Sequence, residues 1–147
     1  MPGRRDHDSA VGHRLGLEVD GVRVTMLTDV SGLGLEREVI EVRQGAADGT
    51  TVTRRLPGWP KPGEVVLSRA LTADTTFERW ARDASLGPPG SRPRAAVVLL
   101  DHAGSPVRRY ALVNAWPSKL EISGLSAAGA AVPTETLVLV HEGIDLA

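Results

Sequence analysis

One segment of the chain changes from the pattern of a β-strand to that of an α-helix. Residues Glu64–Leu71 alternate as a strand does, Thr72–Asp74 interrupt the alternation, and apolar residues then recur at i, i+3, i+4 and i+7. The recurring residues are Phe77, Trp80, Ala81 and Ala84. This spacing places them on one face of a helix. Because the segments on either side have strand character, we expect a single helix that packs, through residues such as Phe77, Trp80 and Ala84, on a core of strands.

Two side chains are candidates for the start of this helix. Thr75, with Glu78 three residues later, has the form of a capping box, which satisfies amide groups that the first helical turn leaves unpaired. Asp74 is a competing cap one residue earlier, so the exact start stays open. Gly87, followed by two prolines, predicts the end of the helix.

Length and composition are those of one globular domain. The chain has 147 residues, of which 41% are hydrophobic and 24% charged, which is enough to bury a core. A net charge of -1 provides no overall field for nucleic acid or anionic lipid, so we expect neither nucleic-acid recognition nor a membrane anchor. The absence of cysteine excludes disulfides and thiolate metal sites. The first residues are polar and aperiodic, which predicts a flexible N-terminal arm over residues 1–14 and one domain over residues 15–147.

Most of the remaining chain consists of short strand-like segments separated by turns. The predicted strands are Leu15–Val19, Val22–Val30, Ala95–Leu100, Val107–Ala115, Lys119–Ile122 and Thr134–Glu142. Asp20-Gly21 is a typical hairpin turn, and Ala95–Leu100 is apolar throughout, as in a strand buried on both faces. We expect Trp116-Pro117 to end the strand that precedes it, and Thr134–Glu142 to be the last strand of the chain.

A long connection precedes the strand-to-helix segment. Within it, Leu35–Arg43 favours a strand over a helix because it contains β-branched residues and is flanked by glycines. Neither face of that strand is cleanly polar, which is typical of burial on both sides. The irregular stretch Gln44–Pro62 includes a possible short strand at Thr51–Leu56, giving an extended loop, hairpin or arm. Trp59 lies between two prolines, and two interpretations stay open: local packing, or burial against a neighbouring molecule.

No combination of residues predicts catalysis or cofactor binding. Ser126 lies in a glycine-flanked stretch whose spacing differs by one residue from a nucleophile elbow. Asp101 and His102 are adjacent in a turn, and no two of the four histidines have metal-like spacing on one element. The Gly32-x-Gly34 pair lacks a third glycine and a following helix. We therefore expect no catalytic residues and no residues that bind a metal or cofactor. We also expect that the protein is not an enzyme.

Strands with apolar side chains on both faces need a second surface to cover them. An unpaired strand edge also exposes backbone amide and carbonyl groups, which form a template for pairing with another chain. Both features predict self-association through sheets.

The chain resembles the tail tube family of contractile-tail phages, including the inner tubes of extracellular contractile injection systems and, more distantly, the haemolysin-coregulated tube protein of type VI secretion. The similarity extends from about Leu15 to the end. The segments that carry it are Leu17–Val22, Val30–Leu33, Lys61–Thr72, Phe77–Trp80, Asn114–Leu120 and Thr134–Gly143.

The resemblance implies a mainly β fold, a two-sheet β-barrel or sandwich with one helix on its side. It also implies hexameric rings that stack into a hollow tube, which a contracting sheath drives through a target envelope. The segment Gly45–Pro60 matches a loop or hairpin that reaches the adjacent ring. The inter-ring contact candidates are Thr51, Thr53, Arg54, Arg55, Leu56 and Trp59.

The partners that the resemblance implies are further copies of the chain, a sheath, a baseplate with its spike, and a cap, with possible cargo in the lumen. Assembly is expected in the cytoplasm, into a virion-like, released or intracellular particle. Two alternative functions stay open at this stage. One is a ring-forming carrier or chaperone that binds an effector in its lumen, and the other is an unrelated β-sandwich binding module.

Overall fold

The computed structural model describes residues 14–84, 92–129 and 131–146. Within these ranges, eleven strands and one helix follow one another. They are β1 (Arg14–Val19), β2 (Val22–Leu27), β3 (Asp29–Ser31), β4 (Arg37–Gly45), β5 (Thr51–Pro60), β6 (Gly63–Ala70), α1 (Thr76–Asp83), β7 (Ala95–Leu100), β8 (Pro106–Val113), β9 (Trp116–Ser123), β10 (Thr134–His141) and β11 (Gly143–Leu146). The first strand begins one residue inside the predicted N-terminal arm, whose other residues lie outside the described ranges.

The strands form two larger antiparallel sheets and a separate ribbon. One sheet has the order β11-β8-β7-β1-β2, the other has the order β3-β6-β10-β9, and β4 pairs with β5. The prediction of a mainly β, two-sheet fold with one helix is confirmed. In the part of the chain that the structure describes, the sheets form a sandwich and do not close into a barrel.

The core lies between the two larger sheets and beneath the helix. Leu17 and Val97 from one sheet meet Leu67 and Leu139 from the other, and Phe77 of α1 is completely buried among them. Trp80 and Ala81 are only partly buried against this cluster. The predicted double-sided burial of Ala95–Leu100 is observed in β7, which is also the central strand of the five-stranded sheet.

The predicted turn at Asp20-Gly21 joins β1 to β2. Both residues have positive φ angles, 52° and 82°, as a two-residue hairpin turn requires. The Asp20 carboxylate accepts a hydrogen bond from the backbone amide of Arg94 at 2.9 Å, and the Asp20 amide donates to the Arg94 carbonyl at 2.7 Å. The turn therefore also fixes the residue that leads into β7.

Thr75 occupies the N-cap position, and its carbonyl accepts the hydrogen bond from the Arg79 amide, but the capping-box prediction is wrong. Thr75 makes no side-chain cap hydrogen bond. Instead, Asp74 Oδ1 accepts from the amide of Thr76 at 3.1 Å and from its hydroxyl at 2.6 Å. The other Asp74 oxygen is 2.9 Å from Arg69, which holds the carboxylate in this position. The predicted helix stop at Gly87 lies outside the described residues.

Two predictions for the C-terminal half are also corrected. Trp116 and Pro117 do not end a strand but begin β9, and Pro117 is tolerated there because β9 is an edge strand with an irregular register near that point. Thr134–Glu142 is not the last strand, since Gly143–Leu146 continues as β11 and pairs with β8. A four-residue edge strand containing Asp145 has too little alternation to be recognised in a sequence.

Candidate self-assembly surface

A two-stranded ribbon is formed by β4 and β5, which lie between β3 and β6 in the sequence. The ribbon extends from the four-stranded sheet, to which β3 and β6 belong. Its tip is a tight turn in which the Ala46 amide donates to the Thr50 carbonyl at 2.7 Å. Asp48 Oδ1 accepts from the Thr50 hydroxyl at 2.7 Å and from the Thr50 amide at 3.1 Å. These hydrogen bonds hold the pKa of Asp48 below its ordinary value. The tip is therefore an ordered hairpin turn, and the strand suggested at Thr51–Leu56 extends to Pro60.

The ribbon is exposed along nearly its whole length. Val39 is 64% exposed, Leu56 47% and Trp59 79%, so the prediction that Leu35–Arg43 is buried on both sides is wrong for the single chain. A hairpin of two strands is only marginally stable in water without a surface to pack on. The apolar side chains that suggested burial are present, but no element of the described chain covers them.

The pairing register divides the ribbon into an apolar and a charged face, because residues directly opposite each other share a face. One face has the pairs Ile40–Leu56, Val42–Arg54 and Gln44–Val52. The other has Val39–Pro57, Glu41–Arg55 and Arg43–Thr53. We call the first the apolar ribbon face and define it by Ile40, Val42, Val52 and Leu56. On the charged face, Arg55 Nε lies 3.4 Å from Glu41 Oε1.

The contact candidates from the sequence are split between the two faces. Leu56 and Arg54 lie on the apolar ribbon face, whereas Thr51, Thr53 and Arg55 share the charged one. Trp59 lies near the base, next to an irregularity in the pairing between Arg37 and Val39. The sequence reasoning missed Ile40, Val42 and Val52, which become visible only when the two strands are placed in register.

The root of the ribbon, where β4 begins and β5 ends, is held mainly by the pair Glu36 and Lys61. The Lys61 amide donates to the Glu36 carbonyl at 2.8 Å, and Lys61 Nζ lies 3.2 Å from Glu36 Oε1. Just above this pair, Arg37 Nη1 donates to the Gly58 carbonyl at 3.2 Å. The ribbon is therefore attached to the sandwich at a defined place.

A buried arginine ties the helix to both sheets. Arg69 is 3% exposed, and its Nε donates to Glu135 Oε2 at 2.8 Å in the neighbouring strand. Its Nη1 contacts Asp74 and the Thr25 hydroxyl, each at 2.9 Å, and its guanidinium carbon lies 4.1 Å from the centre of the Phe77 ring. The hydrogen bond from the Thr76 hydroxyl, together with Arg69, lowers the pKa of Asp74 to about 2.

The arginine network was not predicted, although the sequence contains a weak signal for it. Arg69 follows Val65 and Leu67 at two-residue spacing, and Glu135 precedes Leu137 and Leu139 in the same way, so both charges continue a buried alternation. When residues of opposite charge occupy the inward-facing positions of two strands, a buried ion pair is indicated.

Asp101 and Ser126, which were considered for catalysis, form hydrogen bonds that stabilise turns. Asp101 Oδ1 accepts from the amides of Ala103 and Ser105, both at 2.9 Å, which makes it a turn residue. The Ser126 carbonyl accepts from the Gly129 amide at 3.1 Å in another turn. Among the described residues, no group of three or more metal-binding side chains comes together, and no helix is long and apolar enough to cross a membrane.

A model of the T4-like virus tail tube protein gp19 family matches residues 12–145. The chain belongs to this family. The resemblance seen in the sequence is thereby confirmed, and with it the function of a structural inner-tube subunit. A search of curated proteins found no match.

Solved structures share the fold of this tail tube protein. A chain of the sheath-tube complex of the extracellular contractile injection system PVC is 19% identical, with a TM-score of 0.73 and 94% of each chain covered. A chain in the anti-feeding prophage cap structure is 18% identical, with a TM-score of 0.76 and coverage of 99% and 95%. Hcp1 from Flavobacterium johnsoniae is 17% identical, with a TM-score of 0.55 and coverage of 90% and 94%.

Proposed function

We propose that this tube protein forms rings of six that stack into a hollow tube, and that the β4–β5 ribbon of one ring packs on the next. The apolar ribbon face carries this proposal, because the described part of the chain leaves it exposed and the ribbon needs a packing surface to be stable. Ring symmetry is supported by the similar fold in the anti-feeding prophage baseplate, whose structure is 6-fold symmetrised.

The proposed partners outside the tube follow from the particles in which similar folds occur. These particles include a sheath-tube complex, a tube-terminating cap and a baseplate, so we infer contacts with a sheath, a cap and a baseplate. In this role the subunit acts mechanically and catalyses no reaction. Assembly takes place in the cytoplasm, before the tube becomes part of a contractile particle.

We propose that the ribbon contacts the next ring through its apolar ribbon face and through its base. Leu56 and Arg54 contribute from the apolar ribbon face together with Ile40, and Trp59 contributes from the base. Thr51, Thr53 and Arg55 face the other way and serve mainly solubility. We therefore propose fewer contact residues than the sequence suggested, and the register of the hairpin supports this choice.

Negative-stain electron microscopy of the purified full chain tests this function. We expect rings with six-fold symmetry at low concentration and stacked tubes at higher concentration. Single rings that never stack and that purify with a bound effector would support the carrier alternative instead. A strictly monomeric protein at high concentration, with baseplate proteins present, would refute the tube.

A further inference from the structure

A buried histidine whose ring makes no well-aligned hydrogen bond within the described residues lies at the end of β10. This residue, His141, is 3% exposed. In the pairing of β10 with β6, His141 is opposite Gly63. A buried polar group without a partner is costly, and such groups are rare in native structures. The position of this imidazole therefore requires an explanation beyond packing.

The imidazole lies directly beneath the root of the ribbon. It lines a cleft of about 300 Å³ together with the incoming segment at Gly34 and Leu35 and the outgoing segment at Lys61 and Pro62. A β-carbon on Gly63 would be 3.2 Å from two atoms of the ring, so the ring already fills the space beside the backbone. The ring therefore lies beside both connections of the ribbon.

The charged groups around His141 do not compensate a positive charge on it. In the cleft, Lys61 and Glu36 neutralise each other at 3.2 Å. On the neighbouring strand, Glu64 is exposed on the opposite face of the sheet. Next to His141 in the chain, Glu142 is exposed whereas His141 is buried, and its carboxylate is directed to Asn114 Nδ2 at 3.0 Å. The imidazolium form would thus be buried with no carboxylate of its own.

We propose that His141 makes the attachment of the ribbon sensitive to acid, so that protonation of its ring loosens the ribbon root and separates stacked rings while each sandwich stays folded. This inference rests on the proposed role of the ribbon between rings. Protonation is proposed to change the equilibrium between stacked and separate rings. The folding of the core is not affected, because the cleft lies outside the central cluster.

The sign of the effect follows from the environment of the ring. Burial lowers the pKa of His141 from its ordinary value of 6.5, and the backbone of Gly143 opposes this shift less strongly. The closed root therefore favours the neutral ring, and an opened root binds the proton more tightly. The attachment has its full stability above about pH 6.5 and loses it as the pH falls below that value.

Tube assembly as a function of pH tests the proposal. Tube length is measured by light scattering and electron microscopy from pH 7.5 to 5.0 for the wild type, His141→Leu and, as the matched control, His102→Gln in an exposed turn. We expect wild-type and His102→Gln tubes to shorten together below pH 6.5, and the midpoint for His141→Leu to fall by at least one pH unit. Equal midpoints for wild type and His141→Leu would overturn the proposal.

A second measurement on dispersed wild-type subunits does not depend on tubes or on the folding of a variant. Hydrogen exchange reports on the Lys61 amide, which donates to the Glu36 carbonyl at the root. After correction for intrinsic exchange, we expect its protection to fall at least tenfold between pH 7.5 and 5.0, while that of Leu139 in the core is retained. Constant Lys61 protection would refute the role of His141, whereas loss of protection without any tubes would refute only the proposed tube.

Discussion

Replacing the apolar pair Ile40 and Leu56 by serine is expected to prevent rings from stacking. Complete burial of a Leu or Ile side chain contributes about 1.5–3 kcal/mol. Since Ile40 is 45% and Leu56 47% exposed in the single chain, covering the remainder contributes about 1 kcal/mol for each side chain. The pair thus supplies about 2 kcal/mol to each ribbon contact, or about 30-fold in its equilibrium constant.

The effect multiplies when a ring docks through all of its ribbons. In the proposed ring of six, the contacts would lose about 12 kcal/mol together, which converts tubes into free rings at any practical concentration. The assay is the fraction of protein in tubes, measured by sedimentation and electron microscopy at matched concentrations. The urea midpoint of the dispersed subunit should change little, because neither side chain belongs to the core.

The adjacent pair on the opposite face provides a matched control. Glu41→Ser with Arg55→Ser removes two large side chains from the charged face at the next position along the ribbon. The two side chains are 58% and 75% exposed, and an exposed ion pair contributes at most about 1 kcal/mol. We expect this variant to form tubes. If the Ile40/Leu56 variant stacks as well as the control, the apolar ribbon face is not the contact.

Three further predictions concern the arginine network and the base of the ribbon. Arg69→Ala should destabilise the subunit by about 3–5 kcal/mol in urea unfolding, because Glu135 would be left buried and unpaired, and Arg69→Met with Glu135→Leu should recover most of the loss. The pKa of Asp74 is lowered to about 2, so its carboxylate stabilises the fold above about pH 3.8 and loses this effect as the pH falls towards 2. In Asp74→Asn, the urea midpoint should therefore depend less on pH over that range. Trp59→Ala should leave the urea midpoint unchanged but shorten tubes, and wild-type Trp59 emission should shift to the blue on assembly.

Much of the fold was predictable because local patterns and tertiary burial agree. The apolar run of β7 is buried on both faces, and Asp20-Gly21 has the backbone angles that its residue types favour. The capping box failed as a prediction because Arg69, a buried residue of β6, holds the Asp74 carboxylate where it accepts hydrogen bonds from Thr76 in the first helical turn. The last strand was missed because β11 is only four residues long and is defined by its partner β8.

The sequence predicted the ribbon as an extended arm, but not which of its side chains share a face. The length of the connection and the presence of Trp59 indicated an arm, but which side chains share a face depends on the turn at Asp48 and on the register that it sets. A shift of one residue in that register would exchange the apolar and charged faces. His141 was likewise visible as a strand residue, while its position beneath the ribbon root depends on two segments that are far apart in the sequence.

The failed prediction of burial for Leu35–Arg43 is itself informative about assembly. Its β-branched residues are those of a covered strand, yet in the single chain Val39 and Ile40 remain exposed. Selection for solubility alone would favour polar residues on an exposed ribbon, as on its charged face at Glu41 and Arg55. Apolar residues confined largely to one face are instead expected when a second protein surface covers that face. In a tube protein, the surface present at the highest effective concentration is the next ring of the same chain.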